Sequence, residues 1–105
     1  MVNRTIEISI IAILKQNGFK ILGKSRSSNA TMITAKKGKF GGKKVAVMIS
    51  PSDDLLETLN KERELHRKQG FKQKILYSLC YACEASFPDI TVIHEQIDLS
   101  TALAS

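Results

Sequence analysis

Val45-Ala46-Val47-Met48-Ile49 is a run of five apolar residues between Lys44 and Ser50. In a strand, successive side chains point to opposite faces, so such a run puts hydrophobic groups on both sides of a sheet and requires cover on each. That marks a central strand and predicts an α/β fold in which helices pack on a mixed sheet. With 105 residues, 43% hydrophobic and 25% charged, the chain fits one small domain over residues 1–105. At this length folding removes only about two-thirds of the unfolded surface from water, which makes a homodimer that buries more an expected option.

Around that strand, residues 4–17 read as a helix, because Ile6, Ile10, Ile13 and Leu14 recur at helical spacing, Asn3 can cap the start and Gly18 can end it. Ile8 and Ile11 widen the apolar face, and so much β-branching means that packing must hold the helix. Strands are expected over 19–24, 31–36 and 44–49, with turns at 25–29 and 38–43. Ser50-Pro51-Ser52-Asp53-Asp54 then starts a second helix, with Ser52 as its cap and the two acids at the favourable end of the dipole; it should run to about residue 69. Leu55, Leu56, Leu59 and Leu65 line one side of it, and Lys61-Glu62-Arg63-Glu64 reads as a solvated face.

The next segment supports two readings. Ile75, Leu76, Leu79, Cys80, Ala82, Cys83 and Phe87 lie near helical spacing and favour a helix over 72–86, while Ile75, Tyr77, Leu79 and Tyr81 alternate as a strand over 74–81 would. A last strand is expected over 90–96, and residues 99–105 as a loose tail. The order is α-β-β-β-α-(α or β)-β.

Charge is distributed unevenly. Residues 1–50 hold ten Lys or Arg against one acid, Glu7, for +9; residues 51–105 hold six against nine, for −3. One side of the fold should therefore be basic, the electrostatic footprint of a partner rich in phosphate, of which nucleic acid is the foremost example. The densest part is Lys36-Lys37-Gly38-Lys39-Phe40-Gly41-Gly42-Lys43-Lys44. As a hairpin finger, Lys36, Lys37, Lys39, Lys43 and Lys44 would meet phosphates, with Phe40 against a base or groove wall and Gly41-Gly42 lending mobility. Lys20, Lys24 and Arg26 extend the surface. The plainer role for such lysines is to solubilise a hairpin tip and guard a sheet edge.

Other chemistry has little to rest on. Cys80 and Cys83 form a lone C-x-x-C, open to reading as a redox pair, half a zinc site or two buried side chains; their place in an apolar pattern and the isolation of His66 and His94 favour the last. No nucleophile is coupled in sequence to a base, and Gly41-Gly42 fits neither a P-loop nor a dinucleotide fingerprint, so no catalytic residue, metal or cofactor is assigned. The apolar run over 8–14, interrupted by Ser9, is far shorter than the roughly 20 residues that span a bilayer, and no signal-peptide cleavage site follows it. A cytoplasmic protein with no membrane partner is expected.

The succession of helix, three strands and helix over residues 4–70 resembles the core of the restriction-endonuclease-like, or PD-(D/E)xK, superfamily. In that family the second strand carries an aspartate and the third a (D/E)xK pair, which hold a divalent metal that activates water. Here Ala30 or Thr31 stands where the aspartate would fall, and Val47-Met48-Ile49-Ser50 where the pair would, so the resemblance implies the fold with a degenerate site. The first five elements also resemble a double-stranded-RNA-binding domain, but the helix end that meets phosphate there carries Asp53 and Asp54 here. A non-catalytic nucleic-acid-binding protein is the leading expectation. A protein-interaction or dimerisation module built on the Ile-rich first helix is the alternative. A divergent metal-dependent nuclease using Asp53, Asp54 or Glu57 comes third.

Overall fold

The computed structural model describes residues 2–27, 30–38, 42–50, 54–78 and 90–104. Helix α1 (Val2–Gln16) is followed by β1 (Lys20–Ser27), β2 (Ala30–Lys37), β3 (Lys43–Ser50), α2 (Leu55–His66), β4 (Gln73–Ser78), β5 (Ile90–Ile93) and α3 (Ile97–Ala104). The strands form one sheet in the order β1-β2-β3-β4-β5. The first three are joined antiparallel, and β4 and β5 add in parallel. This is the mixed sheet with packed helices that the double-sided apolar run requires, in a body whose 12.6 Å radius of gyration suits one compact domain.

Val45, Ala46, Val47, Met48 and Ile49 are all buried. Val45, Val47 and Ile49 join Ile6, Ile10 and Leu14 of α1 and Leu99 and Leu103 of α3 on one face, whereas Ala46 and Met48 join Leu65 of α2 and Leu76 on the other. Helix α1 ends in a left-handed glycine: Gly18 has φ +87°, its N–H donates to the Lys15 carbonyl, and Phe19 N–H donates to the Leu14 carbonyl. This pairing satisfies the last-turn carbonyls and turns the chain so that Phe19 packs in the same cluster as Leu14. The helix already includes Asn3, so Asn3 is not its cap.

Five further expectations change. The segment read first as a helix over 72–86 is a strand at Gln73–Ser78, buried on both faces from Lys74 on; a strand covered on two sides has a continuous apolar run, which periodicity does not separate from a buried helix. Residues 79–89, Cys80 and Cys83 among them, lie outside the described residues. The tail expected to be loose forms α3, because Leu99, Ala102 and Leu103 recur at helical spacing and are buried against the sheet. The cap of α2 is Asp54, whose Oδ1 accepts from the N–H groups of Leu56 (2.9 Å) and Glu57 (3.4 Å). Its buried stripe is Thr58, Glu62 and Leu65, so Glu62 leaves the solvated face while Leu55 and Leu56 are exposed. The last strand stops at Ile93.

Candidate functional site

The basic residues separate by strand alternation into two sets on opposite faces. In the β1–β2 and β2–β3 ladders Lys20 pairs with Lys36 and Lys36 with Lys44, which places three lysines abreast on the α2 side of the sheet. Lys72, at the entry to β4, donates its backbone N–H to the Lys44 carbonyl at 2.9 Å and adds a fourth position at that level. Strand spacing of about 4.8 Å makes the row about 14 Å long. Lys20, Lys44 and Lys72 are exposed and Lys36 is half-buried. Directly opposed like charges repel across a ladder, so the row is an unfavourable arrangement for the isolated fold and a favourable one for an anion.

The other set makes contacts within the fold. Lys37 pairs with Lys43 on the α1 and α3 side, one residue out of phase with the row. The Lys37 ammonium lies 5.8 Å from the centre of the Phe19 ring, and its stem passes over Gly18. The Lys43 Nζ donates to the Leu103 carbonyl at 3.2 Å, beside the Gln73 amide that donates to the Ala102 carbonyl, so the open end of α3 is held by two strand residues. Lys24 and Arg26 converge on Glu7 of α1. Its carboxylate is only 3% exposed, with Arg26 Nη2 at 3.1 Å and Lys24 Nζ at 3.7 Å. The buried Lys74 plays a similar part, its Nζ donating to the His66 carbonyl at the end of α2 (2.8 Å).

Of the nine residues singled out from sequence, the structure thus brings Lys20, Lys36 and Lys44 together. Lys37, Lys43, Lys24 and Arg26 lie on the opposite face, where they contact Phe19, the Leu103 carbonyl and Glu7, and Lys39 and Phe40 lie outside the described residues. At Gly42 a Cβ would collide with the Lys37 carbonyl oxygen, so glycine is needed there for close approach of the chain. Lys72 is not among those nine; its place beside Lys44 follows from the parallel pairing of β3 with β4, which no local pattern in the sequence contains.

Elsewhere the chemistry is sparse. No group of His, Cys, Asp and Glu suited to a metal occurs among the described residues. Thr31 lies opposite Ile49 on the α1 face, with Val47 the next β3 residue on that face. Asp54 is engaged as the α2 cap, Asp53 lies outside the described residues, and Glu57 is half-buried. At the carboxyl ends of β3 and β4, Ser50 and Ser78 stand side by side, and His94 Nδ1 donates to the Ser78 carbonyl at 3.0 Å. A depression of about 330 Å³ between β5 and α3 is lined by Thr91, Val92, Ile93, Asp98, Thr101 and Ala102, which present one ionisable group. No described helix is long and apolar enough to cross a membrane. Comparison with family models, curated proteins and solved structures finds no match to this chain.

Proposed function

We propose that this chain is a non-catalytic nucleic-acid-binding domain of the cytoplasm that contacts phosphates through Lys20, Lys36 and Lys44. The observation that carries the reading is their row across three strands. Edge protection would account for Lys20 on the outermost strand, but β2 and β3 are interior and need no guard. Glu7, the one acid of residues 1–50, is engaged with Lys24 and Arg26 on the opposite face. The proposal includes an endonuclease-like core. Its support is the element order; Ala30 or Thr31, Met48 and Ser50 stand where that family's metal carboxylates and lysine would fall, so the site would be degenerate and unable to hold the cation that activates water.

Gel-shift titration at low and moderate salt tests the reading. The intact chain should retard an oligonucleotide, and the triple variant Lys20→Glu, Lys36→Glu, Lys44→Glu should not, while Lys37→Glu on the other face should shift as the parent does. Equal affinity of the triple variant and the parent sinks it.

A second reading, an interaction module that pairs as a homodimer, is favoured by Ile8, which is 63% exposed on a helix whose other face packs on the sheet. Sedimentation equilibrium decides it. A dimer that dissociates on Ile8→Lys supports it, and a strict monomer at high concentration counts against it.

A further inference from the structure

We infer that the row is a four-position track, with Lys72 as its fourth contact, and that the polymer it takes is duplex rather than single-stranded nucleic acid; this rests on the nucleic-acid reading above. Three features carry it. Lys20, Lys36 and Lys44 are borne on consecutive hydrogen-bonded strands, and Lys72, one residue before β4, is tied to the last of them by its backbone N–H, so the four Cα positions follow the strand spacing. A fixed linear array matches the regular phosphates of a duplex, whereas a flexible single strand must lose conformational freedom to align with it. The row's length of about 14 Å is close to the roughly 12 Å width of the major groove, so its two ends can reach phosphates on both strands.

The second feature is the absence of a stacking platform among the described residues of that face. Single-strand binders gain much of their affinity from aromatic rings under successive bases. Here Phe19 and Tyr77 are buried on the opposite face, and Phe71 is half-buried in the cluster beneath α2. Around the row the sheet instead offers Gly23, Ser25 and Thr34 on β1 and β2. These are small residues that let a backbone come close without reading its bases.

The third is that the helices leave the β1–β2 end of the row open, while Lys44 and Lys72 are exposed at the starts of strands that α2 covers further along. Helix α2 packs on β3, β4 and β5, and α1 reaches β1 and β2 from the other side. The α2-side surface of the first two strands, which carries Lys20 and Lys36, is therefore free to meet a rod-like partner. Contacts of this kind are independent of sequence, because they involve phosphates alone.

Fluorescence anisotropy with a labelled duplex and with one of its strands, over a series of salt concentrations, provides the test. Four phosphate contacts predict a log-log salt slope near −3.6 for duplex, about −0.9 for each contact. Lys36→Gln, Lys44→Gln and Lys72→Gln should each flatten it by about 0.9, and Lys37→Gln should leave it unchanged. The single strand should bind at least about tenfold more weakly at equal salt. DNA and RNA duplexes, tried in parallel arms, tell the two sources of phosphate backbone apart. A single strand bound as tightly as duplex, or a Lys72→Gln slope equal to the parent's, overturns the track while leaving nucleic-acid binding in place. Failure to bind either polymer at low salt overturns both.

Discussion

Glu7 is a carboxylate withdrawn from water beside two cations that stay in contact with it, with the Lys24 and Arg26 side chains 41% and 59% exposed. Such a pair is worth less than a fully buried one, since the cations are solvated and screened. Replacing Glu7 by Ala should cost about 1–2 kcal/mol in urea unfolding, and a double-mutant cycle with Arg26→Ala should return a coupling of about 1 kcal/mol. A coupling near zero would mean that Glu7 contributes only by packing. At this scale the sequence was partly readable. It identified a basic set, but a lysine that holds a helix end, as Lys43 does, cannot be told from one that faces solvent by residue type. Only the strand phase separates Lys36 and Lys44 from Lys37 and Lys43, and that phase follows from a register that composition does not contain.

Among the elements, those with a strong local signal were legible: the isoleucine spacing of α1 with its terminal Gly18, and the uninterrupted run of β3. β4, which the local pattern leaves open between helix and strand, and α3, which it leaves as a tail, depend on partners distant in the chain. β4 is buried from Lys74 to Ser78 because α2 covers one face and α1 with α3 the other. α3 is too short to be stable alone and forms because Leu99 and Leu103 complete that second layer. Leu99 is fully buried, so Leu99→Ala should destabilise the fold by about 2–5 kcal/mol in chemical denaturation. Removing residues 97–105 should abolish the cooperative transition seen by circular dichroism, whereas a true tail could be cut without effect.

For the molecule as a whole, the proposed function and the stability of the free chain pull in opposite directions. Lys36 stands between Lys20 and Lys44, so Lys36→Gln relieves two opposed like-charge pairs at once. It should raise stability by up to about 1 kcal/mol at low ionic strength, by pairs worth about 0.2–1 kcal/mol each. The gain should vanish near 1 M salt, where the screening length is about 3 Å. Comparing urea midpoints of parent and variant at the two salt levels checks this. A variant that is more stable alone yet binds polyanion more weakly is the signature of a surface kept for use rather than for folding.

The out-of-phase lysine pairs of the β2–β3 hairpin bear on how this chain tolerates insertions and deletions. Shifting β3 by a single residue against β2 would exchange the environments of Lys43 and Lys44 and turn Val45, Val47 and Ile49 away from the helices that cover them. The turn from Gly38 to Gly42 thus acts as a counter of residues. In descendants of this sequence that turn should accept changes of composition outside its close-packed glycines, but not a change of length by one.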